Sequence, residues 1–270
     1  VNHISHIRSA TVSRRAILGL DVSCFSYADA LAFANQMASL PLGQTIISFL
    51  NANNANIMYA DAEYRDILAR QMILPDGIGV DIAATFVYGD KFPANLNGTD
   101  FVPALLTYMD RPKRIGLIGG LPDVAEKAAA NFKRHAPWHE FIVVSDGYFD
   151  DADSMKIVER VEALKLDVLL VGLGSPKQEK WVDTYIRPEH ARLVFCVGAL
   201  FDFVGKAVPR APRILRRMRL EWMFRLLMEP KRLWRRYILG NPLFILRTLR
   251  QAFVVRVLGK PYLHGENLVL

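Results

Sequence analysis

The chain has 270 residues, 51% hydrophobic and 23% charged, with a formal net charge of +7. This composition supports a sizeable core and excludes a disordered chain; two cysteines, Cys24 and Cys196, without CxxC or other ligand spacing exclude a disulfide scaffold. No apolar run approaches the roughly 18–20 residues that cross a bilayer, and residues 16–20 are too short for a signal-peptide core, so the sequence reads as cytosolic or bound to the cytosolic face of a membrane.

Residues 1–20 are polar and irregular and are expected to form a loose arm. An α/β catalytic domain is expected over 21–207. Helical spacing marks 29–37, and Thr45-Ile46-Ile47-Ser48-Phe49-Leu50 reads as a strand of β-branched and apolar residues. It runs into 51–56, where four of six residues are Asn. Asn51 and Asn53 suit a cap on the helix expected at 57–70; their amides also suit recognition of a uracil edge or sugar hydroxyls. In Leu74-Pro75-Asp76-Gly77-Ile78-Gly79-Val80 a carboxylate sits between a stiff proline and permissive glycines. Asp76 there is either a helix cap or a chemical base. An apolar helix over 78–88 follows. Phe92-Pro93-Ala94-Asn95-Leu96-Asn97-Gly98-Thr99-Asp100 is a loop whose Thr99 or Asp100 can cap a helix at 101–109, or hold a polar ligand.

From residue 115 onward, continuous apolar strands alternate with helices: strands at 115–119, 141–145, 167–171 and 193–197, helices at 123–133, 154–164 and 176–185. That alternation predicts a parallel sheet covered on both faces, with ligands at the carboxyl ends of the strands. Gly116-Leu117-Ile118-Gly119-Gly120 lacks both the dinucleotide fingerprint and the P-loop Lys. Gly172-Leu173-Gly174-Ser175-Pro176-Lys177-Gln178-Glu179 is a strand end feeding a helix start. It reads as an anion site suited to a diphosphate, or as an ordinary capped helix. His135 and His139 are separated by Pro137, which breaks the helical spacing a metal would need. No metal site and no cofactor are expected.

Beyond Val208-Pro209-Arg210-Ala211-Pro212-Arg213 the chain becomes a basic helical appendage, 208–270. Residues 206–260 carry fifteen Lys or Arg against two acids, +13; the remainder carries nineteen against twenty-five, −6. Such asymmetry points to an anionic partner. Arg225, Arg232 and Arg235 can share a helix face. Arg interleaved with Leu and Trp at helical spacing favours a membrane surface or packing on the core over nucleic acid, so no nucleic-acid partner is expected.

Taken together, these motifs resemble the WecG/TagA/CpsF glycosyltransferases, glycosyltransferase family 26. Leu74–Val80, Gly98-Thr99-Asp100, Gly172–Glu179, Gly198-Ala199-Leu200-Phe201-Asp202-Phe203 and Leu220-Glu221-Trp222 through Glu229-Pro230-Lys231-Arg232 carry the likeness. The resemblance implies a Rossmann-like α/β body with a C-terminal helical appendage, at the cytoplasmic face of the bacterial inner membrane. It implies inverting, metal-independent transfer from a UDP-sugar to an undecaprenyl-diphosphate-linked saccharide. By position, Asp76 would be the base, Asn51 and Asn53 would lie near the active site, and Gln178 would contact donor or acceptor. Arg225, Arg232 and Arg235 would close over the diphosphate. Relatives often carry Arg where Asn95 stands and Thr where Asn51 stands. The Asn-rich versions resemble exopolysaccharide, xanthan-type glucosyltransferases, which implies glucose as donor, with N-acetylmannosamine or its uronic acid as the alternative. A homo-oligomer is compatible with this reading.

Overall fold

The computed structural model describes residues 12–41, 43–212, 214–215, 218, 220–260 and 262. Two short strands, β1 (Arg14–Ile17) and β2 (Leu20–Ser23), pair antiparallel. From Arg14 onward this hairpin replaces the expected loose arm, because Ile17, Leu18, Leu20 and Val22 are all buried. The boundary expected at residue 20 falls inside it.

Six further strands build one sheet: β3 (Thr45–Leu50), β4 (Met72–Pro75), β5 (Arg114–Gly119), β6 (Glu140–Ser145), β7 (Leu166–Gly172) and β8 (Ala191–Cys196). Their order is β4-β3-β8-β7-β5-β6, and every pairing is parallel. Helices alternate with them: α1 (Tyr27–Met37), α2 (Ala52–Ala60), α3 (Ala62–Ala69), α4 (Ile78–Tyr88), α5 (Gly98–Tyr108), α6 (Pro122–His135), α7 (Ser154–Leu164), α8 (Lys177–Tyr185) and α9 (Leu200–Val204). The α/β class with a parallel sheet, helices on both faces and a C-terminal helical region is the one expected. The single helix expected at 57–70 is two helices, broken at Asp61, whose carboxylate caps α3 through Tyr64 N.

Alternation along the strands sends side chains to both faces. Phe49, Leu117, Leu170 and Phe195 join one core with residues of α1, α5, α6 and α9. On the opposite face Ile118, Val171, Val194 and Cys196 pack on α7 and α8. Next to them Leu50 and Ile73 pack with the hairpin, α2, α3 and α4.

The basic region continues as α10 (Glu221–Met228), α11 (Pro230–Trp234), a π-helical turn at Arg235–Leu239 and α12 (Gly240–Arg256). Its last helix is no appendage. Phe244 is 0% exposed and belongs to the core of α2, α4 and the hairpin. Asn56 donates to Gly240 O at 2.7 Å and accepts from the Arg247 guanidinium at 2.7 Å. The buried Gln251 amide accepts from Leu18 N and donates to Ala16 O, both at 2.8 Å, tying α12 to the hairpin. Gly79 of α4 faces Phe244, and Arg256 donates to Thr85 O and Val87 O near the end of α4. The two helices therefore run side by side in the same direction.

Candidate active site

The site is built where β3 and β4 end beside each other. Leu50 and Pro75 are register partners, and Asp76 N donates to Leu50 O at 2.9 Å. Pro75 is tolerated because β4 lies at the sheet edge. Gly77 follows with φ +90°, a conformation that favours glycine, and Asn95 Oδ1 accepts its N–H at 2.8 Å. Leu96 N donates to Pro75 O at 2.9 Å. The turn presenting Asp76 is thus fixed from both sides before α4 begins.

Asn51 has both of the roles open to it from sequence. Its Oδ1 caps α2, accepting from Asn53 N and Asn54 N at 3.1 Å each. That leaves Nδ2 to donate to Asp76 Oδ2 at 3.2 Å. Capping with one end of the amide aims the other at the carboxylate. Asn97, not Thr99 or Asp100, caps α5, accepting from Asp100 N at 3.0 Å. Gly98 is buried beneath this turn, where a Cβ would meet the Phe49 ring at 2.9 Å.

A cavity of about 620 Å³ opens above these strand ends. Asp76, Asn51, Asn53, Asn95, Thr99 and Asp100 line it from the α/β body, and Arg225 from α10. Arg236, Tyr237, Glu221 and Trp222 also line it; Glu221 and Trp222 belong to a motif that carries the resemblance, but none of the four was an expected site residue. The Nε–H groups of Arg225 and Arg236 are buried and have no hydrogen-bond partner among the described residues. Arg210, in the proline-punctuated hinge, joins body to roof: it pairs with Asp100 at 2.9 Å and with Glu221 at 3.5 Å. Arg210 and Arg225 both lie over the Phe203 ring, 5.8 and 5.2 Å from its centroid.

Loss of water around the recessed Asp76 pushes its pKa above the usual carboxylate range. The Asn51 amide and the Arg236 and Arg225 charges pull against that rise, and the Glu221 carboxylate adds to it. Burial likewise holds the Arg236 pKa below its ordinary value. A carboxylate raised this way is a stronger base, and two guanidiniums lining the same cavity can receive an anion. Among the described residues no group of three His, Cys, Asp or Glu side chains is placed to hold a metal ion.

Seven expected site residues do not line the cavity, the buried Gly98 among them. Gly174, Ser175, Lys177 and Gln178 follow β7, which is separated from β4 by β3 and β8. At the spacing of neighbouring strands that puts them about 14 Å across the sheet. Gln178 is 2% exposed; its Oε1 accepts from Gly198 N at 2.9 Å and its Nε2 donates to Glu179 Oε1 at 2.8 Å. It locks two loops together. The Ser175 hydroxyl also donates to Glu179, at 2.7 Å, and Lys177 lies over the Phe149 ring. On the roof, Arg232 pairs with Glu229, the residue just before its helix, and Arg235 stacks on Trp234 at 5.4 Å. Arg236 takes the inward position, on the same face as the buried Leu233 and Tyr237.

Residues 15–257 match the Glycosyl transferase WecG/TagA/CpsF family. The chain belongs to this family. It is therefore a glycosyltransferase, and the match spans both the α/β body and the helical roof. It is 30% identical over 240 residues to an N-acetylglucosaminyldiphosphoundecaprenol N-acetyl-beta-D-mannosaminyltransferase of Bacillus spizizenii (strain ATCC 23059 / NRRL B-14472 / W23), covering 87% of this chain and 90% of that one. The protein of the same description from Bacillus subtilis (strain 168) is 30% identical over 208 residues, 76% of this chain and 79% of that one.

Proposed function

We propose that this glycosyltransferase moves a sugar from a UDP-sugar to a saccharide linked to undecaprenyl diphosphate, with inversion, and with Asp76 as the general base. The observation that carries the reading is the pairing within one cavity of a recessed carboxylate, aimed by Asn51, with the guanidiniums of Arg225 and Arg236. Deprotonating an acceptor hydroxyl needs the first, and charge on a departing or anchoring diphosphate needs the second. The names of both relatives favour N-acetylmannosamine over the glucose suggested by the Asn-rich loops, with an N-acetylglucosaminyl diphosphate lipid as acceptor. Two guanidiniums can stabilise the diphosphate without a metal.

No helix among the described residues is long and apolar enough to cross a membrane. The outer face of α12 nevertheless exposes Leu243, Leu246, Leu249, Phe253 and Val257, with Leu246 at 66% and Phe253 at 50%. These recur at helical spacing beside Arg250 and Lys260. An apolar row rimmed by bases supports peripheral attachment to an anionic membrane surface, where a lipid-linked acceptor resides.

The test is release of UDP from UDP-N-acetylmannosamine and from UDP-glucose with an N-acetylglucosaminyl diphosphate lipid. Asp76→Asn is expected to abolish transfer while UDP binding persists. Near-normal transfer by Asp76→Asn would remove Asp76 as the base, and selective use of UDP-glucose would restore the glucose reading.

A further inference from the structure

We infer that the slot between α4 and α12 receives the isoprenyl segment next to the diphosphate of the acceptor, an inference that rests on the lipid-linked substrate proposed above. Ile78 and Ile82 lie one turn apart on α4. Ile238, Pro242 and Ile245 follow at successive turns through the π-helical turn into α12. All five line the cavity that holds Asp76, and none is buried. Apolar walls left wet in this way suit an apolar ligand group and gain nothing from a sugar or a nucleotide.

Both apolar rows begin beside a polar group of the cavity: Asp76 precedes Ile78 and Arg236 precedes Ile238, each by two residues. With saccharide and diphosphate held at that polar end, the isoprenoid would extend along the isoleucines. The slot also leads outward to the right surface. Ile238, Pro242 and Ile245 are each followed in sequence by an exposed leucine, Leu239, Leu243 and Leu246. The slot wall and the exposed row are therefore adjacent strips of one helix, and a chain leaving the slot meets the apolar outer face of α12 directly.

The test is calorimetric titration of the full chain, in detergent-free buffer, with farnesyl diphosphate and with inorganic diphosphate. The wild-type protein should bind farnesyl diphosphate at least about tenfold more tightly, the equivalent of burying two methylenes. Ile82→Ser/Ile245→Ser removes apolar wall and Ile82→Trp fills the slot. In both, checked as folded by thermal melting, the ratio of the two dissociation constants should fall toward one. Equal affinities in the wild type, or a ratio that survives in either folded variant, overturns the inference. Sugar transfer does not enter this readout. A preserved farnesyl preference without any transfer would count against the proposed reaction alone, and transfer without the preference would count against the slot alone.

Discussion

Asn51 caps α2 and donates to Asp76, so the cap and the proposed orientation of the base can be separated at one position. Replacing it with Ala removes both hydrogen bonds of its Oδ1 and the one from Nδ2 to Asp76. Loss of an N-cap costs about 1 kcal/mol. In a chain of this size that lowers the melting temperature by about 2–4 °C. Asn51→Asp keeps the cap, since Asp and Asn are equivalent there, but it puts a second carboxylate where the amide lies 3.2 Å from Asp76 Oδ2. Two unit charges at that distance repel by about 5 kcal/mol at an effective dielectric of 20. Screening reduces this, yet a quarter of it is still about one pH unit. The proposed base must be ionised to act, so a higher Asp76 pKa would move the acidic limb of the kcat profile to higher pH. Profiles from pH 5 to 9 should shift upward by about one unit or more in Asn51→Asp and by less in Asn51→Ala, while only Asn51→Ala loses thermal stability through the cap. Superimposable profiles for wild type and Asn51→Asp would refute the assignment of the base or of its partner.

The raised pKa of Asp76 has a thermodynamic counterpart. Its folded-state value lies above the unfolded one, so ionisation opposes folding as pH rises through that window, and Asp76→Asn should melt above wild type at pH 7–8, with the gap closing toward pH 4. On the roof, Arg236→Ala should lower kcat/KM by about 10²–10³, whereas Arg235→Ala should cost less than about threefold, because its guanidinium stacks on Trp234; steady-state kinetics on the pair decides between the two arginines. Leu246→Glu/Phe253→Glu changes only exposed positions and should leave the melting temperature within about 2 °C while abolishing co-sedimentation with phosphatidylglycerol vesicles.

The parallel sheet was legible because its central strands are uninterrupted apolar runs, as Val168–Val171 and Leu193–Cys196 are, buried on both faces. The hairpin was not, because Arg14 and Arg15 make its first strand look polar while Ile17 and Leu20 do the packing. The turn around Asp76 was legible from Pro75 and Gly77, which restrict and permit backbone shapes in a way composition alone reveals. Arg236 was not. An α-helical period carried across Pro230 selects Arg232 and Arg235, but a new helix starts at that proline, and its inward face is the one with the buried Leu233 and Tyr237, which Arg236 shares. Similarly α12 reads as a surface helix because its buried face includes Thr248 and Gln251, polar residues whose partners lie on its own turn and on the distant hairpin.

The Gln251 amide closes on Leu18 across a separation of 233 residues. A chain made from its N-terminus cannot seat the hairpin, complete the core around Phe244 or bring Arg236 over Asp76 until α12 has emerged from the ribosome. The closed cavity and the exposed apolar row of α12 therefore arrive together. A chain cut before α12 would be not a weak transferase but an unfinished one, exposed to quality control before its cavity could close.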